Sequence, residues 1–381
     1  MPTYLPETYG GAEQQSRKLA ATLLDRNLSV TVLTPCVEGA TQLSGREGLL
    51  TIKRFRQPQL PNLGGRHMLS FLLWTVKSAY WLWRNRSKYD LVHIIHGRLH
   101  AVGPLLGAAI SRKPSLIKIG RGGDHFDLAV VRRKRLIGSA CAILIKHLTT
   151  GFVANSQEIA DDFSNWNVDP SRVHRIPNGV VMPAPNDHLP TSNTPEIRFV
   201  YLGRLDTEKA LDRMISGFAQ VSHDHPARLI IVGDGPCASE LAALAERLGV
   251  AHLVEFPGRV ENVTPFLQMA DFYISTSLSE GMSNALLEAM SYAVPPLVSR
   301  VSGVEDMVGD GVSGLLFEAG NDEDYVAQLR NALSLPSDAR RRMGTAAART
   351  MQQRFSMEYV AEKHIELYAR FLRAPHQTRA G

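Results

Sequence analysis

The sequence predicts an α/β protein built from two successive parallel sheets, and three observations carry the prediction. Short apolar runs alternate with helix-period segments along nearly the whole chain, as strands joined by crossover helices require. Pro177, Pro183, Pro185, Pro190 and Pro195 interrupt that alternation in one stretch that is poor in apolar residues after Met182. The length, 381 residues, exceeds what one ordinary core organises and suits two domains.

In the first half, residues 12–27 read as a helix and 29–34 as a strand, followed by a strand at 49–55 and a long helix at 68–84. A buried strand at 90–95, a helix at 99–110 and strands at 115–119 and 151–155 continue the series, and Ser156 is placed to cap the helix after it. Beyond the proline-rich hinge the pattern restarts. Strands are expected at 197–202, 228–232, 253–256, 272–275 and 296–299, with helices at 209–221, 239–248, 263–269 and 284–292. A helix at 357–372 comes last. The expected domains are residues 1–185, 186–355 and a terminal helix at 356–381 that packs back on the first domain.

Hydrophobic residues make up 44% of the chain and charged residues 21%, as in ordinary globular proteins. The net charge of +5 suits anionic partners such as a nucleotide phosphate or an acidic lipid surface, and no long run of like charge points to nucleic acid. Cys36, Cys141 and Cys237 lack any metal-ligand or disulfide spacing and are expected as small core residues of a protein in a reducing compartment. No stretch reaches the roughly 18–20 apolar residues that span a bilayer, and the start lacks a basic region followed by an apolar run. The expectation is a cytoplasmic chain, with peripheral seating at the inner face of the membrane as a further reading.

The sharpest constellation is Glu280-Gly281-Met282-Ser283-Asn284-Ala285-Leu286-Leu287-Glu288. It sets two carboxylates around a glycine turn and a helix start, where backbone N–H groups can meet a phosphate. Alone, the spacing also suits a loop glutamate and a helix-surface glutamate. Arg204 and Lys209 sit in a strand-to-helix loop, at the sheet edge where open α/β folds bind ligands, and are placed to neutralise a diphosphate as it leaves. Gly10-Gly11 before the first helix allows close backbone approach to a phosphate or acceptor, and Gly233-Asp234-Gly235-Pro236 is most simply a strand-to-helix turn.

These motifs together resemble family 4 of the retaining glycosyltransferases, whose fold is GT-B, two Rossmann-like domains facing a central cleft. The resemblance runs through Gly10-Gly11-Ala12-Glu13, Val153-Ala154-Asn155-Ser156, Ile176-Pro177-Asn178-Gly179-Val180, Gly203-Arg204-Leu205 with Lys209, Val232 to Pro236, Glu280 to Met290 and Gly311 to Phe317. It implies a nucleotide-diphosphate sugar as co-substrate, with uridine favoured, and a saccharide or lipid-linked acceptor. It also implies a front-face retaining displacement without cofactor or metal. Arg204 and Lys209 would hold the diphosphate, Glu280 the transferred sugar and Glu288 the ribose. Backbone around Gly281, Met282, Ser283 and Asn284, with Gly11, would meet the phosphates, and Val260 would lie against the base. The sequence offers no metal-ligand cluster, and Asp161-Asp162 falls in a helix.

Two departures stand out. Members of the family open with a strand before the glycine pair, whereas Gly10 comes nine residues from the start, so either the chain begins at an internal methionine or the first sheet lacks a member. The family's histidine in a His-Gly loop is replaced by Gly120-Arg121-Gly122-Gly123-Asp124-His125; Asp124 or His125 could take its role, Arg121 could contact acceptor or phosphate, and His96-Gly97 is a rival from the preceding strand.

A nucleotide-sugar epimerase of the same fold, a phosphorylase and a non-catalytic donor-binding subunit are the competing readings. The epimerase needs first-domain carboxylates that cannot be picked out, and the phosphorylase a pyridoxal lysine in a longer chain. A dehydrogenase is disfavoured, since no GxGxxG follows an opening strand. On the 68–88 segment, Trp74, Tyr80, Trp81 and Trp83 interleave with Lys77, Arg84, Arg86 and Lys88, and Arg132 to Arg135 adds a second basic cluster. A core-facing aromatic stripe with a solvated face is favoured there over a membrane-seating face.

Overall fold

The structure is a computed structural model that describes residues 10–37, 44–47, 50–57, 68–135, 137–184, 196–222 and 225–373. Pro185, Pro190 and Pro195 of the expected hinge, the 185/186 boundary, Leu49 and the nine residues ahead of Gly10 lie outside the described residues. The chain forms two compact units: one comprises Met1–Gly179 with Met357–Gly381, the other Val180–Ser356.

The first unit opens with helix α1 (Gly11–Asp25), then strands β1 (Thr31–Val37), β2 (Ser44–Glu47) and β3 (Leu50–Gln57) and helix α2 (Met68–Arg84). Strand β4 (Val92–Ile95), α3 (Val102–Ile110), β5 (Ser115–Lys118), α4 (Asp127–Arg132), α5 (Gly138–Leu148), β6 (Gly151–Ala154), α6 (Gln157–Asn165) and β7 (Val173–Arg175) follow. β4, β5, β6 and β7 pair in that order, all parallel, while β1 runs parallel to β3 and β2 antiparallel to it in a separate sheet. Ser156 caps α6 as expected, its Oγ accepting from the Ile159 N–H.

The second unit repeats the alternation. Strand β8 (Ile197–Leu202), α7 (Leu211–Val221), β9 (Ala227–Val232), α8 (Ala238–Arg247), β10 (Val254–Gly258), α9 (Thr264–Met269) and β11 (Phe272–Ser275) come first. Helix α10 (Asn284–Ser291), β12 (Pro296–Arg300), α11 (Val304–Met307), β13 (Leu315–Glu318), α12 (Asp322–Ser334) and α13 (Ser337–Thr350) complete it. Its central strands are mainly apolar because both faces of the sheet are covered there. On β8, Ile197, Phe199 and Tyr201 enter one core and Val200 and Leu202 the other.

The last helix, α14 (Met357–Arg373), belongs to the first unit. Val360 and Leu367 cover Leu116, Val153 and Ile176 on one face of its sheet, and Met357 and Ala361 pack against Leu19 and Leu23 of α1. Two expectations on side chains need correction. Cys36 and Cys141 are buried, but Cys237 is only partly so, because it stands at the start of α8 on the rim of its core. On α2, Trp74 is a core residue, whereas Tyr80 and Trp83 are exposed, since they project from the side of the helix opposite Phe71, Trp74 and Leu82.

Under α14 lies a polar cluster inside an apolar layer. The Tyr368 hydroxyl and His93 Nδ1 are 2.8 Å apart, the His93 and His364 rings lie 5.4 Å apart, and Nε2 of each meets no hydrogen-bond partner among the described residues. Burial, with Lys118 alongside, holds His93 at about 3. Burial also brings Lys118 down to about 8 and holds His364, His174 and His100 below the usual imidazole value. These rings fold neutral, while the unfolded chain protonates them near pH 6.5. Their contribution is therefore complete above about pH 6.5 and is lost as the pH falls from there toward 3, where the unfolded state takes up protons the folded state refuses. All four tryptophans, Trp74, Trp81, Trp83 and Trp166, lie in this unit, so their fluorescence reports its melting. The melting temperature so measured should drop steadily from pH 6.5 to 4 and drop less in a His364→Leu variant; a flat profile for the wild type would contradict the neutral-cluster account.

Candidate functional site

All six strands of the second unit are parallel, in the order β10-β9-β8-β11-β12-β13. From β8 the chain builds outward through β9 and β10, then returns to the other side of β8 and builds through β11, β12 and β13. The loops leaving the adjacent strands β8 and β11 therefore diverge and open a crevice at the carboxyl edge, the usual ligand position in such sheets. The loop after β8 carries Arg204 and Lys209, and the loop after β11 carries Glu280 and the start of α10.

Lys209 Nζ and Glu280 Oε1 form a direct ion pair across this crevice, each side chain about five-sixths covered (15% and 16% exposed). The surrounding bonds fix both ends. Thr207–Lys209 is one 3₁₀ turn, and Ala210 follows it in a left-handed conformation at φ 48°, which is costly for a residue with a Cβ. The buried Thr276 hydroxyl spans the carbonyls of Lys209 and Ala210 at 3.1 and 2.9 Å, and the Leu278 N–H donates to the Glu208 carbonyl at 2.9 Å. On the acidic side, Ser277 Oγ donates to Glu280 Oε1 at 3.0 Å, and Ser299 Oγ on β12 donates to the Ser277 carbonyl at 2.6 Å. Thr276, Ser277 and Ser299 are all buried.

Helix α10 starts directly beyond, with Ser283 as its N-cap: Ser283 Oγ accepts from the Leu286 N–H at 3.3 Å. Its positive end thus lies at the carboxyl edge beside Gly281 and Met282, which are buried, and Asn284 is its first residue. Glu288 is half-buried in the same helix. Glu280 and Glu288 act on one buried phenol: burial first, then the charge of Glu280 and more weakly that of Glu288 push the Tyr273 hydroxyl up.

Arg204 stands on the same loop as Lys209, its Nε 3.7 Å from Asp206 Oδ2 and its carbonyl accepting from the Tyr201 hydroxyl at 3.0 Å. Gly233-Asp234-Gly235-Pro236 brings the β9 loop against this one: a Cβ on Gly233 would stand 2.9 Å from the Gly203 carbonyl carbon, and the Leu205 N–H donates to the Asp234 carbonyl at 3.0 Å. Val260, two residues past β10, is half-buried against Leu202 and its neighbours. Among the described residues, no group of three His, Cys, Asp or Glu side chains is placed to hold a metal.

Gly11, Asp124 and His125 belong to the other unit. Gly11 is the exposed first residue of α1. Asp124 and His125 lie on a short exposed turn, Gly123–His125, with Asp124 3.6 Å from Arg133 and its side chain 94% exposed. His96 is built quite differently. It ends β4 at a left-handed φ of 66°, and its Nδ1 is 3.4 Å from Oδ2 of Asp127, which is fully buried. Asp127 also accepts from the Gly97 N–H and from Arg98 Nε, each at 2.9 Å. Burial alone would raise this carboxyl, but His96 and Arg98 bring it well below the usual range. The sequence reading passed over Asp127, although an acid inside the apolar run Phe126 to Val131 was its visible signal. It also passed over Thr276, Ser277 and Ser299, which look like ordinary small residues at strand ends.

Two family models match adjoining stretches of the chain: Glycosyltransferase Family 4 over residues 9–182 and Glycosyl transferases group 1 over residues 188–350. The chain belongs to glycosyltransferase family 4. Among related sequences, this family 4 member is 29% identical over 174 residues to the N-acetyl-alpha-D-glucosaminyl L-malate synthase of Bacillus anthracis, covering 46% of this chain and 45% of the relative. It is 26% identical over 315 residues to the D-inositol 3-phosphate glycosyltransferase of Geodermatophilus obscurus, covering 77% of this chain and 64% of that one. The chain thus spans about half to two-thirds of the length of these relatives. The Anabaena protein Alr3699/HepE, solved in complex with UDP, superposes with a TM-score of 0.75 at 18% identity, over 96% of this chain and 98% of that one. The fold is GT-B, with two Rossmann-like domains.

Thr276 joins the two switch-point loops through one hydroxyl proton shared between the Lys209 and Ala210 carbonyls, so its loss removes that tie. Thr276→Val should lower the stability of the second unit by about 1–3 kcal/mol in urea unfolding. An unchanged midpoint would remove Thr276 as the clasp.

Proposed function

We propose that this chain is a retaining, metal-independent hexosyltransferase that moves a sugar from a nucleoside-diphosphate donor to a saccharide or lipid-linked acceptor in surface polysaccharide or glycolipid synthesis. The observation that carries the reading is the Lys209–Glu280 pair at the β8/β11 switch point, with Arg204 on one side and the α10 N-terminus on the other. A diphosphate is the ligand that such a cationic and dipolar edge suits. Family membership supports the transfer chemistry, and the UDP held by Alr3699/HepE supports a uridine donor.

In this reading Lys209 and Arg204 neutralise the charge that grows on the departing diphosphate, and the backbone at Gly281 to Asn284 and at Gly11 meets its oxygens. Glu280 accepts hydrogen bonds from hydroxyls of the transferred sugar, Glu288 from the ribose, and backbone at Val260 meets the base. The acceptor hydroxyl attacks the anomeric carbon from the face the diphosphate leaves. The carbon–phosphate-oxygen bond breaks as the new glycosidic bond forms, and the proton passes to a phosphate oxygen. Configuration is retained. Among the first-unit candidates, the anchoring of His96 by buried Asp127 favours it over exposed Asp124 and His125 for contact with the sugars. The same reading seats the protein peripherally on a membrane at the cytoplasmic face.

The test is nucleotide release from a panel of nucleotide sugars. Glu280→Ala and Lys209→Ala should each slow turnover at least tenfold, which is about 1.4 kcal/mol of transition-state stabilisation. Near-normal rates for both variants would overturn the assignment.

A further inference from the structure

Helix α2 is apolar on two opposite sides, and the fold covers only one of them. Ser70, Phe71, Trp74, Ser78 and Leu82 are buried. Leu69, Leu72, Val76, Tyr80 and Trp83 are 43% to 66% exposed. At about 100° of rotation per residue, these five positions fall within an arc of about 80° centred opposite the buried side. At about 1.5 Å of rise per residue the stripe is about 21 Å long. One exposed leucine needs no explanation, but a continuous apolar stripe on a surface helix does.

The stripe is also held rigid. Helix α3 lies against α2 through Gly103 and Gly107, where a Cβ would come 2.7 Å from the Thr75 Cα and 2.9 Å from the Ala79 Cα. Trp74 Nε1 donates to the His100 carbonyl at 2.7 Å and pins the buried side. The exposed side is therefore presented as a fixed ridge.

Charge selects what covers it. Residues 68–88 hold no aspartate or glutamate and four basic residues: Lys77, Arg84, Arg86 and Lys88. Arg84, Arg86 and Lys88 are exposed at the end of the helix that also carries Tyr80 and Trp83, whose rings lie 5.9 Å apart. The Arg86 guanidinium lies 5.5 Å from the Trp83 ring. An aliphatic ridge, two amphipathic rings and a cluster of cations that meets no carboxylate among the described residues match the layering of a leaflet with acidic headgroups. Among the described residues no helix is long and apolar enough to cross a membrane, so the contact is one of seating rather than spanning.

We propose that the exposed side of α2 docks this protein onto an anionic lipid surface, with Leu69, Leu72 and Val76 entering the acyl boundary and Tyr80, Trp83 and the basic cluster at headgroup level. The seating is independent of the transfer chemistry, because none of these residues belongs to the donor machinery.

The experiment is co-sedimentation of the full chain with vesicles of phosphatidylcholine alone and of phosphatidylcholine with phosphatidylglycerol in equal parts, at low and high salt. Wild type should bind the anionic vesicles, and weaken with salt. The triple variant Leu72→Ser, Val76→Ser, Trp83→Ser and the triple variant Arg84→Gln, Arg86→Gln, Lys88→Gln should each bind at least tenfold more weakly, with nucleotide release in solution unchanged. If the apolar triple variant loses its cooperative melt, Leu72→Ser with Val76→Ser gives the same reading on a milder change. Three results would overturn the proposal: no binding of wild type to anionic vesicles at low salt, wild-type affinity in the apolar variant, or a concentration-dependent dimer that the apolar variant abolishes while vesicle binding is absent.

Discussion

An ion pair at the point where strand order reverses is the interaction around which the carboxyl edge of the second unit is built. Parallel strands bring every βα loop to one edge, and the reversal between β8 and β11 opens a gap there. Lys209 and Glu280 bridge that gap. A pair this well covered adds little net stability, because desolvating both charges offsets much of their attraction. Around it the protein accepts a left-handed Ala210 and commits Thr276, Ser277 and Ser299 to holding two loops. Strain and buried polar bonds concentrated at this carboxyl edge point to a geometry kept for use rather than for stability. Glu280 satisfies the lysine; under the proposed function a diphosphate would offer that ammonium a second partner.

The first unit is organised around a different constraint. Its sheet has one face closed by α3, α5 and α6 and the other by α14, a helix from the far end of the chain. The unit therefore cannot complete its core until the second unit's residues have been traversed. Beneath α14 the structure buries imidazoles and an ammonium where an apolar layer would be cheaper, and at the carboxyl end of β4 the buried Asp127 forms a separate cluster, accepting from Gly97 and Arg98 with His96 3.4 Å away.

Much of this was legible in the sequence because both sheets use period and polarity openly. The unbroken runs at β8, β9 and β11 read as strands covered on two faces, and Ser156 announced its helix. The Glu280 to Glu288 motif and the Arg204–Lys209 loop were found by spacing, and the fold brings Lys209 and Glu280 into contact. What stayed hidden depends on tertiary partners. Thr276 matters only because the β8 loop packs on it, and Asp127 only because His96, Gly97 and Arg98 converge on it from the loop after β4. Period could not show which apolar side of α2 the core would take, since both sides are apolar. The strands β2 and β7 carry no apolar run and are defined by the neighbours they pair with.

The most direct test of the account is calorimetric titration of UDP into the wild type and into an Arg204→Met, Lys209→Met double variant at two salt concentrations. If cations at the switch point grip the diphosphate, the wild type binds and loses affinity with salt, while the double variant binds at least tenfold more weakly and shows a flatter salt response. Equal affinity and equal salt dependence in the two proteins would contradict it.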